Sequence, residues 1–258
     1  MNKKDSIIRL RSKLKKNLYS IGSWIQIPDS SVAEIMGHSG YDWVAIDLEH
    51  GSISISQLPS ICRSLELGDT LPFVRVAQGE VKDCKQALDA GAAGIIVPMI
   101  KTAKQLENIR KFCCWPPSGN RGVGFSRANL YGRNFNSYEI EAQSPFFVAM
   151  IEHIEAVNDL DSILEVHGLD AVIIGLYDLS ASMNITAKFS DLNFIKTVNK
   201  IRDICLNKNI PCGSHIVHPS IDKLNESIND GFRFIPYSID SVFLNIACKN
   251  PKNITDDE

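Results

Sequence analysis

The chain has 258 residues, of which 44% are hydrophobic and 22% are charged. This balance is typical of a soluble globular enzyme and excludes a disordered or fibrous protein. The formal net charge of -3 argues against a nucleic-acid-binding surface, which is usually basic. The length suits one barrel-sized domain. We therefore expect a single domain over residues 1–258, with a flexible polar tail over 249–258.

The N-terminal segment is basic but lacks the apolar core and the small-residue cleavage point of a signal peptide. No stretch is apolar for the roughly 18 residues that a membrane-spanning helix needs. The seven cysteines form no CxxC pair, so reduced, buried thiols are predicted rather than a zinc ribbon or a disulfide framework. These features predict a cytoplasmic protein with neither a membrane nor a nucleic acid as its partner.

Eight short, β-branched apolar runs recur along the chain, and amphipathic stretches with a helical period separate most of them. The predicted strands are Ser20–Ile27, Trp43–Asp47, Phe73–Val76, Gly94–Val97, Phe146–Ile151, Ala171–Ile174, Ile210–Gly213 and Phe232–Pro236. The predicted helices are Ser31–His38, Ser56–Leu65, Val81–Asp89, Ala103–Phe112, Ala156–Glu165, Leu192–Asn207 and Ser220–Asn229. Repeated β-then-α units build a parallel sheet covered by helices. Eight such units predict an α/β fold of the (β/α)8 type, a TIM barrel.

Two local features add to this pattern. Gly40, Gly91 and Gly231 each follow a predicted helix and suit left-handed turns that return the chain to a strand. The segment Cys114–Pro145, rich in glycine and proline, breaks the rhythm and is predicted as a long loop. A long ordered loop in a compact domain is usually functional.

Polar and ionisable residues lie at or just after the carboxyl ends of four predicted strands, where (β/α)8 barrels build their active sites. They are Asp47, Glu49 and His50, then Arg75, then Glu152 and His153, and finally Tyr177 and Asp178. Taken singly, each is as readily explained as a solvated loop side chain. Their recurrence around one rim predicts an active site there.

Glu152 and Asp178 are carboxylates on neighbouring strands, an arrangement that suits a hard divalent cation such as Mg²⁺ or Mn²⁺. A glycosidase-like pair of acid and base carboxylates is the alternative. The adjacent histidine and arginine fit enolate chemistry better. Covalent Schiff-base catalysis is disfavoured, because Lys101 is the only lysine near a strand end and follows its strand by several residues.

His50 is the candidate base, since imidazole titrates near neutrality and a carboxylate such as Asp47 or Asp89 would orient the ring and raise its basicity. Arg75 offers a fixed cation to a substrate oxygen that gains negative charge. A purely structural salt bridge is the alternative interpretation of Arg75.

At these residues the chain resembles the HpcH/HpaI aldolase family, whose members are metal-dependent pyruvate aldolases. The likeness runs from about Gly22 to Asp240. Its matching segments are Val44–Gly51, Val74–Val76, Ala87–Ala92, Val97–Pro98, Pro116–Gly122, Ile151–Glu152 and Gly175–Ser182. Any one of these segments is a weak signal, whereas together they are specific.

The resemblance implies a barrel of the phosphoenolpyruvate/pyruvate type and a role for each matched residue. His50 would accept the proton, Asp89 would raise its basicity, Arg75 would stabilise the oxyanion, Glu152 and Asp178 would bind the metal, and Asp47 would support the histidine or the metal's waters. Mg²⁺ or Mn²⁺ is the implied metal, with Co²⁺ or Zn²⁺ as alternatives. The family also implies a homo-oligomer, a hexamer built from dimers, in which neighbouring subunits help to close the site.

Two residues depart from the family pattern within the predicted substrate-binding set of Arg75, Met150, Tyr177 and Asp178. Met150 stands where many members have glutamine, two residues before the ligand glutamate, which removes a hydrogen-bonding side chain. Tyr177 stands in Gly-Leu-Tyr-Asp where Gly-Pro-Ala-Asp is commoner. Both changes bear on which substrate is recognised.

Three functions follow from this pattern. The first is a class II aldolase, a carbon–carbon lyase that cleaves or forms a 4-hydroxy-2-oxo acid through a pyruvate enolate. The second is a carbon–carbon bond-forming synthase of the same fold, citrate-synthase-like, in siderophore or polysaccharide biosynthesis. The third is a barrel without turnover that serves as a binding or scaffold subunit. Retention of every residue that the resemblance assigns favours an enzyme.

Overall fold

The computed structural model describes residues 2–250 and contains one sheet of eight parallel strands. The strands are β1 Ser20–Ile25, β2 Trp43–Asp47, β3 Leu71–Arg75, β4 Gly94–Val97, β5 Phe146–Ile151, β6 Ala171–Ile174, β7 Cys212–Ser214 and β8 Phe234–Ile239. Strands adjacent in the chain pair from β1 to β7, and β8 pairs with β1. A parallel bridge between Ile216 and Tyr237 joins the segment after β7 to β8. The predicted (β/α)8 barrel is confirmed as a nearly closed barrel.

Helices alternate with the strands. They are α1 Lys3–Lys15, α2 Ser30–Gly37, α3 Leu58–Leu67, α4 Val81–Asp89, α5 Ala103–Cys113, α6 Phe135–Ala142, α7 Ile154–Asn158, α8 Leu160–Ile163, α9 Leu176–Ser182, α10 Leu192–Asn207, α11 Ile221–Asn229 and α12 Asp240–Ala247. The predicted helix Ala156–Glu165 is thus two short helices. The helices α1, α6, α9 and α12 were not predicted.

The predicted long loop Cys114–Pro145 is only partly a loop, because it contains a 3-10 helix at Arg127–Gly132 and then α6. The buried residues of α6 are Tyr138 and Ala142, which pack with Trp115 in a small separate cluster. Two buried side chains in a helix of eight residues give little periodicity. This explains why the sequence pattern did not reveal the helix.

The barrel interior is filled at its amino-terminal end by a stack of aromatic rings. Trp43, Phe73, Phe146 and Phe234 come from four strands, and the ring centroids of Trp43 and Phe234 lie 4.4 Å apart. All four are fully buried. Helix α1 closes this end with three apolar side chains that join the same cluster. The floor of the barrel is therefore sealed, and space for a ligand remains at the carboxyl end.

Glycine permits two close features of this barrel. A Cβ on Gly22 would lie 2.2 Å from the indole of Trp43, so the aromatic stack requires glycine in β1. The predicted left-handed turns are confirmed, since Gly40, Gly91 and Gly231 have φ of 83°, 111° and 97°.

Three further predictions concern the chain as a whole. All seven cysteines lie within residues 2–250 and are free thiols rather than members of disulfide bonds. Six of them are buried, and Cys248 is exposed. In the same range no helix is long and apolar enough to cross a bilayer. The predicted flexible tail lies largely outside the described residues, which end at position 250.

Candidate active site

A cavity of about 370 Å³ opens at the carboxyl end of the barrel, and we call it the rim cavity. Seven of the residues predicted for the site line it: Asp47, His50, Arg75, Met150, Glu152, Tyr177 and Asp178. They come from the ends of β2, β3 and β5 and from the first turn of α9. The fold thus brings together side chains that are up to 131 positions apart, from Asp47 to Asp178.

Asp47 and Arg75 form the best-defined contact of the rim cavity. They lie opposite each other in the register of β2 and β3. Arg75 Nε donates to Asp47 Oδ1 at 2.9 Å and Arg75 Nη2 donates to Oδ2 at 2.7 Å. Gln26 Nε2 donates to the same Oδ2 at 2.8 Å. Burial alone would raise the pKa of Asp47, but the hydrogen bonds and charge of Arg75 outweigh it, so the pKa lies below its ordinary value.

Arg75 is held on two further sides. Its guanidinium lies 4.5 Å from the ring centroid of Trp24, and its Nη1 is 3.1 Å from Glu49 Oε2. A bidentate, stacked guanidinium is fixed in orientation, which a lysine would not be. Among the described residues lining the rim cavity, Arg75 is the sole permanently charged cation.

The loop that carries His50 is shaped by Asp47. Its Oδ1 accepts hydrogen bonds from the backbone N–H of Glu49 at 3.0 Å and of His50 at 3.3 Å. The His50 side chain is 58% exposed, and Glu49 Oε2 lies 3.8 Å from its Nε2. Asp47 therefore orients the backbone of His50 and not its ring. The carboxylate beside the ring is that of Glu49, for which the sequence alone indicates no separate role.

Asp89 is the one predicted site residue that does not line the rim cavity. It ends α4, a helix that runs back from the carboxyl end of β3 to the amino end of β4. Burial raises the pKa of Asp89, and the charges of Arg121 and Lys85 oppose that shift. Within one chain the fold separates Asp89 from His50 by the length of the barrel. The expectation that Asp89 orients His50 is therefore not met inside a single chain.

Glu152 projects from the end of β5 and is only 2% exposed. Its Oε1 accepts the backbone N–H of Met99 at 2.5 Å. Gly175 leaves room for the other oxygen, since a Cβ there would lie 2.3 Å from Oε2. Asp178 approaches the same region from the first turn of α9 and is exposed.

The carboxylates around Glu152 repel one another. Burial raises the pKa of Glu152 to about 7; Glu49 and Asp178 add to the shift, while the Met99 N–H and Arg75 oppose it. Burial also raises the pKa of Glu49. The negative charges of Asp47 and Asp178 add to this rise, and Arg75 and His50 oppose it. This part of the cavity therefore has more negative charge than its own cation balances.

A divalent cation fits this imbalance. Glu152 and Asp178 provide carboxylate oxygens, and Mg²⁺ commonly binds one or two carboxylates while water and substrate complete its shell. Within residues 2–250 no group of three or more His, Cys, Asp or Glu side chains is arranged to hold a metal. Glu152 and Asp178, which both line the rim cavity, are therefore candidate carboxylate donors for a cation.

Met150 and Tyr177, the two departures from the family pattern, contribute different surfaces. Met150 is buried, and its Sδ lies 3.9 Å from Arg75 Nη1. Tyr177 is 56% exposed and meets Phe189 edge-on, with 5.0 Å between ring centroids. Met150 thus presents a thioether to the interior of the cavity, and Tyr177 forms part of its outer wall.

Four residues of this region were given no role from sequence: Trp24, Gln26, Glu49 and His215. His215 follows a predicted strand end, so the same positional rule would have found it. Gln26 lies inside the predicted strand Ser20–Ile27 and follows a strand end only because β1 stops at Ile25. Trp24 has no such signal, because an aromatic residue inside a strand is normally core. Its importance depends on its stacking with Arg75, which only the fold reveals.

Comparison with known proteins identifies the family of the chain. The HpcH/HpaI aldolase/citrate lyase family matches residues 20–245. The hydroxypyruvate/pyruvate aldolase of Roseobacter denitrificans is 32% identical over 86% of this chain and 87% of its own length. The 2-keto-3-deoxy-L-rhamnonate aldolase of Salmonella paratyphi A is also 32% identical, over 92% of this chain and 89% of its own.

Solved structures give the same fold. A family protein of Burkholderia cenocepacia superposes with a TM-score of 0.88 at 24% identity, covering 96% of this chain and 98% of that one. The citrate synthase SbnG superposes with a TM-score of 0.80 at 27% identity, covering 96% and 99%. The sequence relatives named above are aldolases, which favours a lyase over the synthase and scaffold alternatives. The chain belongs to the HpcH/HpaI aldolase/citrate lyase family and is an enzyme of the aldolase type.

Proposed function

We propose that this chain cleaves and forms 4-hydroxy-2-oxo acids through the enolate of pyruvate, with a divalent cation as cofactor. The observation that carries the proposal is the meeting of four groups in one cavity. They are the imidazole of His50, the fixed guanidinium of Arg75 and the carboxylates of Glu152 and Asp178. A base, an oxyanion partner and a cation site are what enolate chemistry requires.

The roles of the residues follow from their positions. In the cleavage direction, His50 accepts the proton of the 4-hydroxyl group, the bond between C3 and C4 breaks, and the aldehyde leaves. The enolate that remains takes the proton back from His50 at C3 and becomes pyruvate, which regenerates the base. Arg75 stays aimed at the developing negative charge, because Asp47 and Trp24 hold its guanidinium on two sides. A preorganised donor of this kind needs no reorientation during the reaction.

Glu152 and Asp178 would hold the cofactor, which we propose to be Mg²⁺ or Mn²⁺, with Co²⁺ or Zn²⁺ as substitutes. A cation bound there would supply Lewis-acid polarisation of the 2-oxo group. The acidic surroundings support this assignment, because a 2-oxo acid is itself an anion. Arg75 is the only fixed positive charge in the cavity wall among the described residues. An anionic substrate entering beside Glu152 and Asp178 needs further positive charge to bind.

The proposal is tested by incubating the purified protein with Mg²⁺ or Mn²⁺ and a panel of 4-hydroxy-2-oxo acids, and coupling pyruvate release to lactate dehydrogenase. We expect pyruvate from at least one acid, and loss of the signal after chelation. Failure of every acid in the panel in the presence of either metal would contradict the function. Release of coenzyme A from an acyl thioester in the presence of oxaloacetate would support the synthase alternative instead.

We also propose that the chain forms a homo-oligomer. Four apolar side chains of the segment between α5 and α6 are exposed in the single chain: Val123, Phe125, Leu130 and Tyr131. Phe125 is 75% exposed and Tyr131 is 70% exposed, and a cluster of this kind commonly marks a protein interface. Asp89 would reach a His50 only in another copy. Sedimentation equilibrium should give a multiple of the chain mass, and a monomer would contradict the proposal.

A further inference from the structure

A second cavity of about 330 Å³, which we call the side cavity, adjoins the rim cavity beside β6 and β7. The two cavities share four wall residues: Leu176, Tyr177, His215 and Val217. His50, Arg75 and the proposed metal ligands line the rim cavity and not the side cavity. The shared wall therefore joins the rim cavity to further space, in which a second reactant has room.

His215 is the best-anchored hydrogen-bonding side chain of that wall. Its Nε2 lies 3.3 Å from the carbonyl oxygen of Ser238. Ser238 is fully buried with φ of 55°, a left-handed conformation that is uncommon for serine. Its N–H donates to the Ile216 carbonyl at 2.8 Å, and its Oγ donates to the Val217 carbonyl at 3.0 Å. These bonds fix the carbonyl that orients the imidazole.

The state of the imidazole follows from this contact. A carbonyl oxygen can only accept a hydrogen bond, so Nε2 carries the proton and Nδ1 has a free lone pair. Burial lowers the pKa of His215 to about 4, with Arg75 adding to the shift and the Ser238 carbonyl opposing it. The ring is therefore neutral at pH 7. It packs against Trp24 with 5.8 Å between ring centroids.

The free nitrogen, Nδ1 of His215, is unpaired and accessible. Within residues 2–250, Nδ1 of His215 has no hydrogen-bond partner. This atom is also not enclosed, since the unpaired polar atoms that are fully buried do not include it. An atom of a partly buried residue that is neither paired nor enclosed must reach an open surface. His215 lines both the rim cavity and the side cavity, which are the candidate surfaces for Nδ1.

We propose that His215 determines acceptor specificity, its Nδ1 accepting a hydrogen bond from a hydroxyl group of the aldehyde. A hydroxyl group can donate to this lone pair. A carboxylate or phosphate presents only acceptors to the Nδ1 lone pair. An alkyl chain leaves the lone pair without a partner, which costs free energy in a desolvated site. The acceptor class is therefore a hydroxylated aldehyde. This inference rests on the proposed aldolase function and adds the recognition of the second reactant.

The test compares two aldehydes that differ by one hydroxyl group, glycolaldehyde and acetaldehyde, each added to pyruvate by the metal-loaded enzyme. The measured quantity is the ratio of kcat/KM for glycolaldehyde to that for acetaldehyde. His215→Leu should lower this ratio by about tenfold to a hundredfold. His215→Gln keeps an acceptor oxygen and a donor for the Ser238 carbonyl, so it should retain most of the ratio. His218→Leu is the matched control, because exposed His218 lines only the side cavity, and it should leave the ratio unchanged.

Deuterium exchange into the methyl group of pyruvate, measured on the wild-type enzyme, separates the two claims. Exchange together with an unchanged aldehyde ratio in His215→Leu would overturn the role of His215 and leave the aldolase function standing. No exchange in the wild type would overturn both. A second measurement does not depend on the leucine variant. The ¹⁵N spectrum of histidine-labelled wild-type protein at pH 7, assigned with His215→Gln, should show an unprotonated Nδ1, and a protonated Nδ1 would overturn the inference.

Discussion

The two ends of the barrel interior are built from the same strands but differ in what those strands bury. At the amino end, β2, β3 and β5 contribute Trp43, Phe73 and Phe146, which stack with ring centroids 5.6 and 5.0 Å apart. At the carboxyl end the same three strands lead to Asp47, Arg75 and Glu152, which are also buried. The amino end is stabilised by packing and burial of apolar side chains. The carboxyl end instead buries charged side chains, which need partners of opposite charge.

The strand period explains how one chain provides both ends. Alternate residues of a strand face the same side, so Trp43, Ala45 and Asp47 point into the barrel in turn. In β5 and the residue after it, the inward series runs from Phe146 to Glu152. The barrel can therefore vary its chemistry at the last inward position while its floor keeps the fold stable. Substitutions at the floor should change stability, and substitutions at the rim should change catalysis.

The largest expected effect is at the rim, for Glu152→Gln. This change keeps the shape of the side chain but removes the buried charge proposed to hold the cation. We expect kcat/KM for aldol cleavage to fall by about a thousandfold or more. The control is Glu155→Gln, three residues further on, where the carboxylate is 56% exposed and pairs with Lys101; activity should be unchanged. Equal activity in the two variants would remove Glu152 from the mechanism.

At the floor, Phe73→Ala should produce the opposite pattern. Phe73 is fully buried and stacks with both Trp43 and Phe146, so truncation should lower the free energy of unfolding by about 3–5 kcal/mol. Urea unfolding measures this loss, and Leu192→Ala, at a residue that is 73% exposed, is the control. Turnover per folded molecule should stay within a few-fold of wild type. A collapse of turnover without a loss of stability would show that the two ends are not separate in function.

The smallest effect is a pH dependence of stability that arises at the rim. The folded state holds the proton of Glu152 up to a pKa of about 7, against an ordinary value of 4.5. Between these values the folded state binds more protons than the unfolded state, so stability falls as the pH rises through this window. Glu152 would contribute up to about 3 kcal/mol to this change.

The measurement is the Tm between pH 4.5 and 8 in the presence of a chelator, for wild type and Glu152→Gln. The wild-type Tm should fall more steeply with rising pH than that of the variant. Parallel curves would mean that Glu152 is not the group responsible.

Much of the floor could be predicted from sequence, because its strands are continuous buried runs. The bounds of Trp43–Asp47 and Phe146–Ile151, for example, are those of the observed β2 and β5. β8 was predicted to end at Pro236 but continues to Ile239. The strand continues past Pro236 because this residue pairs through its carbonyl oxygen, which accepts the Ile216 N–H at 3.0 Å.

The rim was predictable by position and less so by contact. Strand ends located His50, Arg75 and Glu152, because parallel strands bring their carboxyl ends to one edge. Spacing could not show that Asp47 would hold Arg75, nor that Glu49 would lie beside His50. Those contacts depend on loop conformation and strand register. Asp89 is one of the two carboxylates that the sequence offers as a partner of His50, and the resemblance implies the same pairing. The direction of α4 separates the two residues within one chain.

The central claim is that the rim makes the methyl group of a 2-oxo acid exchange its protons. It is tested most directly by ¹H NMR of pyruvate in D₂O with the protein and Mg²⁺ or Mn²⁺. We expect the methyl signal to disappear at a rate that requires the metal and drops sharply in His50→Ala. Absence of exchange with either metal, or exchange that is equally fast in His50→Ala, would contradict it.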